Sequence, residues 1–410
     1  MQAKISSVGA ILVSTLIFLA GNGLLSTLIP VRGHWEGFSV LVIGLIGSAY
    51  NIGFVVGCFA APRLLARVGH VRVFAVGAGL AAAMALIQAI LVNPPVWLVA
   101  RTAYGFAAAA MFMVLESWLN DRADNATRGR IFSAYMTVNF GGILCGQILY
   151  ATSPPGGFEL FSLAAICCAL CLIPVGLTAL PQPKRMPAPT LKPLKLYRIS
   201  PVGVMGCIAV GLANGAVWAL VPLYALDRGL SNGLLALFMV AFTIGGSAIQ
   251  VPVGKLSDRM DRRYVIAVVC ALAGAAGIGM ALLHAGGLWL LAAIGVYGTL
   301  MLPLYGLSVA HANDRIPREA FVEASATLLM INALASTLGP TLAAGVMDAF
   351  GASTLFFFTA AVHLSMMAFT LVRLGFVRAP AALYRDPFKP LPHQASPSAL
   401  QLDPRRRGEK

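Results

Sequence analysis

Apolar positions along this chain fall into long runs, and polar residues are concentrated in the short stretches between them. Each run has about twenty residues or more, the length that an α-helix needs to cross the hydrocarbon core of a membrane. The pattern therefore predicts an all-α membrane protein with twelve transmembrane helices. The predicted spans are 8–30, 38–62, 71–92, 95–119, 129–152, 157–180, 201–226, 231–256, 263–285, 287–311, 319–346 and 351–374.

The composition supports a lipid-embedded chain. Apolar residues make up 59% of the sequence and charged residues only 11%, whereas a soluble protein carries about 25% charged residues. The first apolar run is too long for a cleaved signal peptide and precedes no small-residue cleavage site. We therefore expect it to remain as the first span.

The net charge of +14 is explained by topology. If the N-terminus is cytoplasmic, every Lys and Arg except Arg32, Arg101 and Arg228 falls on the cytoplasmic side. This bias is the positive-inside rule, and it predicts a multi-pass protein of the bacterial inner membrane with both termini in the cytoplasm. The expected partners are membrane lipids with anionic head groups, and nucleic acid is not expected.

The sequence offers little for metal or cofactor chemistry. All seven cysteines lie within predicted spans, so no disulfide framework is implied. The group formed by Cys167, Cys168 and Cys171 has no His or carboxylate companion, which favours packing over a metal site. A phosphate-binding glycine–lysine loop and a catalytic side-chain set do not stand out. We expect no cofactor, no metal and no enzyme activity.

A proline-rich, basic stretch at 181–200 separates six spans from six. It predicts an N-terminal six-helix bundle at 1–180, a cytoplasmic linker at 181–200 and a C-terminal six-helix bundle at 201–378. The final segment, 379–410, contains Pro, Gln, Ser and three consecutive arginines. This composition predicts a disordered, basic cytoplasmic tail.

The second half repeats the first at a spacing of 192 or 193 residues. Because each half has an even number of spans, the halves are predicted to be parallel repeats, the arrangement of transporters with a central solute site and alternating access. The matched pairs are Asn22 with Asn214, Pro30 with Pro222, Gly53 with Gly245, Arg67 with Arg259, Asp121 with Asp314, Asn139 with Asn332, and Gly146 with Gly339.

The loop at 254–263 has the sequence G-K-L-S-D-R-M-D-R-R. It resembles the G-x-x-x-D-R-x-G-R-R/K loop of the major facilitator superfamily, with Asp261 where a glycine is usual. The corresponding loop of the first half keeps Arg67 but has Ala66 in place of the aspartate. The stretch 97–105 is similar to the arginine motif of the family's fourth span, with Tyr104 where glutamine is common.

Two further segments, 115–118 and 128–147, look like the YcaD-like branch of that superfamily. The resemblance extends over residues 1–375. It implies a secondary transporter, most simply a monomer, in which spans one, four, seven and ten line the cavity. It does not imply a particular solute.

Two ionisable residues of the fourth span are candidates for the chemistry, because a charge within a membrane is costly unless it is paired or wetted. Arg101 either holds an anionic solute or lowers the pKa of a nearby carboxylate; alternatively, it extends to the head groups or binds a helix carbonyl. Glu116 is either a proton carrier or the partner of Arg67, Arg122 or Arg130 in an inner ion pair. Its repeat partner Val309 is apolar.

Uncharged residues complete the predicted solute site. Asn22 and Asn214 lie at matched depths of spans one and seven, where an amide either binds a polar solute or joins two helices. Aromatic side chains offer a stacking wall, although aromatics in spans are usually packing or interface residues. The predicted aromatic contacts are Trp218, Tyr297 and Tyr305, with Trp118 as a further candidate.

Charged residues at the predicted inner helix ends are candidates for gating, because they can form ion pairs or cap a neighbouring helix. Such contacts would form in one conformation of the transport cycle and break in another. His311, at the end of span ten, is a candidate for a pH-sensitive gate. The predicted gating set is Arg67, Asp121, Arg130, Asp258, Arg259, Arg262, Asp314 and Glu323.

These features predict a secondary active transporter of a small organic solute. Proton coupling is favoured over sodium coupling because no aspartate cluster stands out within the spans. Arg101 favours a carboxylate, phosphate or sulfonate solute. The alternatives are a proton-driven efflux pump for apolar compounds and a transporter-fold sensor that does not transport.

Overall fold

The computed structural model describes residues 2–124, 126–178, 183, 191–284, 286–317, 320–376, 388 and 396–399. Helices dominate these residues. In chain order they are α1 (Gln2–Trp35), α2 (Val40–Val68), α3 (His70–Ile90), α4 (Pro94–Arg122), α5 (Arg128–Tyr150), α6 (Glu159–Leu170), α7 (Leu172–Gly176), α8 (Pro193–Ile199), α9 (Pro201–Asp227), α10 (Asn232–Arg259), α11 (Arg262–Leu282), α12 (Leu288–Met301), α13 (Leu304–Asn313), α14 (Phe321–Phe350) and α15 (Thr354–Leu374).

Twelve helical segments are long and apolar enough to span a membrane, which confirms the predicted fold class. Two of the spans are interrupted, a detail that the apolar pattern did not predict. The sixth consists of α6 and α7, and the tenth of α12 and α13. The interruption in the tenth span includes Pro303, whose ring and missing N–H are incompatible with a regular helix interior.

Proline and glycine mark several helix ends. Pro94 and Pro201 lie in the first turns of α4 and α9, where the backbone N–H has no partner within the helix. Gly351 ends α14 with a φ of 93°, and Gly69 separates α2 from α3 with a φ of 85°. Only glycine adopts such positive φ values at little cost.

The repeated glycines lie where helices cross closely. A Cβ on Gly23 of α1 would be 2.8 Å from the carbonyl oxygen of Ile143 of α5. At the equivalent crossing, a Cβ on Gly215 of α9 would be 2.7 Å from the carbonyl oxygen of Ser336 of α14. Small residues allow this approach of helix backbones in membranes, so the sequence repeat is also a repeat of packing.

By packing, the chain divides into two compact units. The first comprises Met1–Glu36, Ala49–Pro189 and Pro392–Lys410, and the second comprises Gly37–Ser48 and Thr190–Leu391. The core of each unit is built largely of apolar side chains and small residues.

Most of the predicted linker and tail lies outside the described residues. Within 181–200, the structure describes Pro183 and the segment 191–200, which contains α8. Within 379–410, it describes Phe388 and Ser396–Ala399. Phe388 donates its backbone N–H to the Asp258 carboxylate, at 2.9 and 3.0 Å from the two oxygens.

Candidate functional site

Two of the three arginines that depart from the positive-inside bias have structural partners. Arg32 of α1 donates to the carbonyl oxygens of Pro155 and Gly157 at 3.1 and 3.3 Å and pairs with Glu36. Arg228, after α9, donates to the Ser353 hydroxyl at 3.0 Å. An arginine at the end of α1 thus binds the segment before α6, and an arginine after α9 binds the segment before α15.

The third arginine, Arg101, has a different environment. It lies on α4 in the first unit with 7% of its surface exposed. Its guanidinium carbon is 4.7 Å from the centre of the Tyr50 ring and 5.2 Å from that of Tyr104. Among the residues that the structure describes, its Nε and Nη1 atoms have no hydrogen-bond partner.

These contacts stabilise the charge of Arg101 without using its donors. Each cation–π contact contributes about 0.5–2 kcal/mol, with the higher values at desolvated sites. The N–H groups, however, lie in the guanidinium plane and need acceptors. A carboxylate or phosphate would supply them through charge-assisted hydrogen bonds. The site is therefore suited to an anion.

In the second unit, Asn214 and Tyr305 are buried, with 5% and 7% of their surfaces exposed. Neither the Asn214 Oδ1 atom nor the Tyr305 hydroxyl has a partner within the described part of the chain. An unused acceptor and an unused hydroxyl are suited to a polar solute. Asn22, the repeat partner of Asn214, is also buried, in the first unit.

The other predicted aromatic contacts are engaged in packing. The Tyr297 hydroxyl donates to the Thr359 hydroxyl at 2.8 Å, and its ring packs edge-on against Phe356. Trp218 packs edge-on against Phe242, with 5.2 Å between ring centres. Tyr297 is fully buried in this cluster, which favours the packing interpretation for that residue. Trp218 remains half-buried.

In the first unit, Trp118 is also a core residue, with 1% of its surface exposed. Its ring lies 5.9 Å from that of His70 and 6.1 Å from that of Phe74. The contacts of Trp118 with the His70 and Phe74 rings favour a structural role for this residue.

Glu116 is fully buried on α4. Tyr135 of α5 donates its hydroxyl to Oε1 at 2.7 Å, and Ser396 donates its backbone N–H and its hydroxyl. Within the described residues, Glu116 forms no ion pair with Arg67, Arg122 or Arg130. The described partners of the carboxylate are instead a tyrosine and a serine.

The predicted gating residues of the second unit are concentrated around Arg262, which has 1% of its surface exposed. Its guanidinium contacts the Asp314 carboxylate at 2.7 Å and the Asp258 carboxylate at 2.9 Å. It also donates to the Ser257 hydroxyl at 2.7 Å. The arrangement joins the end of α10, the start of α11 and the segment after α13.

The neighbouring Asp261 occupies the position where the family loop has a glycine. Its carboxylate accepts the backbone N–H of Arg263 at 3.0 Å, which caps α11, and it pairs with the Arg263 side chain at 2.7 Å. Burial alone would raise the pKa of Asp261, but the hydrogen bonds and charge of Arg263 outweigh it and lower that pKa.

Other predicted gating residues are not part of this cluster. Glu323 pairs with Lys192 at 2.9 Å, next to α8, so its partner comes from the linker segment of its own unit. His311 is buried at the end of α13. The exposed members of the set are Arg67, Asp121, Arg130 and Arg259.

Comparison with known proteins identifies the family. The sequence profile of the Major Facilitator Superfamily matches residues 11–340. The chain belongs to this superfamily. It is therefore a transporter and not an enzyme, and the predicted resemblance is confirmed.

Among relatives, the chain is 28% identical over 381 residues to the uncharacterized MFS-type transporter YcaD of Escherichia coli, covering 91% of this chain and 97% of the relative. Among solved structures, it is similar to the nucleoside transporter NupG, with a TM-score of 0.74, 14% identity and coverage of 92% and 100% of the two chains. A D-xylose–proton symporter gives a TM-score of 0.74, 14% identity and coverage of 93% and 99%. These structures share the fold of this superfamily member.

Several residues that contact the candidate residues of this transporter were not predicted from the sequence. Tyr50 lies 51 positions before Arg101, and Ser396 lies 280 positions after Glu116. Tyr135 and Lys192 were likewise not among the candidates. No local motif links such distant residues, and only tertiary packing brings them together. The sole sequence signal was weak: Tyr50 and Tyr135 are polar groups within apolar spans.

Proposed function

We propose that the protein is a proton-coupled secondary transporter of a small organic anion in the bacterial inner membrane, with both termini cytoplasmic. The observation that carries this proposal is the buried guanidinium of Arg101, whose charge is stabilised by Tyr50 and Tyr104 while its Nε and Nη1 donors lack partners among the described residues. Unlike Arg32 and Arg228, Arg101 has no evident structural task.

The anion preference follows from the chemistry of the donors. A hydrogen bond to a charged group contributes about 1.5–3 kcal/mol, which corresponds to roughly a 10- to 150-fold change in affinity. The proposed solute therefore carries one carboxylate, phosphate or sulfonate group.

Proton coupling is supported by Glu116, the buried carboxylate of α4. A carboxyl group within a membrane-spanning helix is costly and is a candidate member of a proton pathway. A similar fold occurs in a D-xylose–proton symporter, which supports the proposal. We propose that Glu116 carries the coupled proton.

The test is ligand-induced stabilisation of the purified protein, measured by thermal unfolding with a library of small anions and neutral analogues. An anion at a hundred times its dissociation constant stabilises the folded state by about 2.7 kcal/mol. We expect this response in the wild type and its loss in Arg101→Gln. Arg228→Gln is the matched control, because Arg228 also contacts a tyrosine ring, at 5.0 Å, but donates to Ser353.

An anion response that persists in Arg101→Gln would contradict the proposed solute site. Stabilisation by apolar compounds alone would instead favour a pump for apolar solutes.

A further inference from the structure

The Glu116 carboxylate is covered by a segment from the other end of the chain. Ser396 is fully buried and Ala399 has 2% of its surface exposed, although both lie near the C-terminus. The Ser396 N–H is 3.2 Å from Oε1 and 3.1 Å from Oε2 of Glu116, and its hydroxyl contacts Oε2. All of these residues belong to the first unit.

A second contact and an internal turn fix the segment. Asn120, one helical turn after Glu116, donates its amide to the Ser398 carbonyl oxygen at 2.6 Å. The Ala399 N–H donates to the Ser396 carbonyl oxygen at 3.0 Å, and the Ser398 N–H donates to the Ser396 hydroxyl at 3.2 Å. Ser396–Ala399 therefore forms a compact turn whose polar groups face α4.

The donors at Glu116 match an ionised carboxylate, which only accepts hydrogen bonds. Tyr135 supplies one donor, and Ser396 supplies the others. Without the segment, Tyr135 would be its only hydrogen-bond partner among the described residues, and a buried charge with so few donors is unfavourable. The segment and the ionised carboxylate thus stabilise each other. Among the described residues, the titratable side chains of Cys58 of α2 and Tyr135 interact with this carboxylate.

We propose that residues 396–399 are an internal ligand of Glu116. The bound segment covers both carboxylate oxygens of Glu116, so a proton or a solute reaches Glu116 only after the segment dissociates. Residues 396–399 then act as an autoinhibitory element. This inference rests on the proposed role of Glu116 in proton coupling, but its docking is measurable without any transport.

The first test is hydrogen–deuterium exchange of full-length protein in detergent, followed by mass spectrometry of the peptide that contains 396–399. Pro397 has no amide, and the amides of Ser396, Ser398 and Ala399 are all hydrogen-bonded. We expect exchange about 100-fold slower than in an unstructured peptide. Exchange at the unstructured rate in the wild type would overturn the proposal.

Variants make this test specific. In Glu116→Gln, the amide oxygen cannot accept all the donors of Ser396, and we expect exchange at least about 10-fold faster than in the wild type. Ser396→Ala, which loses the hydroxyl contact, should also accelerate exchange. Ser398→Ala is the matched control, because the described contacts of Ser398 use only its backbone. Equal exchange in all four proteins would refute the role of Glu116.

The second test measures access to the carboxyl group with dicyclohexylcarbodiimide, which adds to a protonated carboxyl to form a stable N-acylurea. Ser396→Asp places a second carboxylate beside Glu116 and should release the segment. We expect Glu116 to be labelled at least about 10-fold faster in this variant and unchanged in Ser398→Ala. Equal labelling of wild type and Ser396→Asp would overturn the covering role.

The outcomes separate this inference from the proposed function. If anion binding survives in Arg101→Gln while the exchange and labelling results hold, the proposed solute site fails and the internal ligand stands. If anion binding requires Arg101 but the segment exchanges freely, the internal ligand fails alone.

Discussion

Arg262→Gln tests how strongly the charge cluster stabilises the second unit. Arg262 is almost fully buried and contacts two carboxylates, with side-chain exposures of 4% for Asp314 and 27% for Asp258. Glutamine retains much of the side-chain length but removes the charge. Asp314 then loses its contact with the Arg262 guanidinium while remaining buried, whereas Asp258 still accepts the Phe388 N–H.

The expected loss of stability follows from the deeper burial of Asp314. Removal of one partner from a buried ion pair costs about 3–5 kcal/mol, since it leaves an uncompensated charge. For a unit of this size, the cost corresponds to a fall in melting temperature on the order of 10 °C. Asp314→Asn should cost less, because Arg262 keeps Asp258 and Ser257 as partners.

The assay is thermal unfolding in detergent for Arg262→Gln, Asp314→Asn and the double variant. Neutralising both partners removes the uncompensated charge, so the double variant should be more stable than the sum of the single effects predicts, by about 2 kcal/mol. Arg263→Gln is the control. Its partner Asp261 still accepts the backbone N–H of residue 263 in this variant, so we expect a smaller loss than for Arg262→Gln. Additive effects, or an equal loss for both arginines, would refute the reasoning.

Two further predictions concern packing and pH. Gly146→Ala should destabilise the folded protein by about 1–3 kcal/mol, because the added Cβ would overlap the backbone of α1 near Ala20. Gly79→Ala is the control and should be neutral or stabilising, since no atom lies within 4 Å of its added Cβ. Equal melting temperatures of the two variants would contradict this prediction. Because the pKa of Asp261 is lowered in the folded state, its ionised form stabilises the fold above the ordinary carboxyl pKa of about 3.9 and this contribution is lost as pH falls through the folded value. Asp261→Asn should therefore lower the melting temperature at pH 7, and the difference from the wild type should shrink as the pH falls below the ordinary carboxyl value. A difference that does not change with pH would argue against an electrostatic cause.

The sequence predicted the number of spans because apolar length alone defines a membrane helix. The sequence repeat was visible in matched glycines, and the structure places glycines of both halves at close helix crossings. Helix ends were less well defined: the first span was predicted at 8–30, whereas α1 extends over Gln2–Trp35. Polar residues at the ends of a helix beyond the membrane core are not distinguished from loops by their hydrophobicity.

The candidate site was only partly predictable. Arg101 and Glu116 stood out because a charge within an apolar span is unusual. Their partners did not, since the ring of Tyr50 and the hydroxyl of Tyr135 become meaningful only through helix packing. Glu116 contacts Ser396, a residue of the segment that its composition predicted to be a disordered tail. Side-chain pairing across such separations depends on tertiary structure.

The most direct test of the central claim is transport in proteoliposomes, with the anion that most stabilises the purified protein and an inward proton gradient. The account predicts that the wild type accumulates the anion above its external concentration. Glu116→Gln should exchange internal for external anion without gradient-driven accumulation, and Arg101→Gln should do neither. Gradient-driven accumulation at the wild-type rate in Glu116→Gln, or unchanged transport in Arg101→Gln, would contradict proton-coupled anion transport through these two residues.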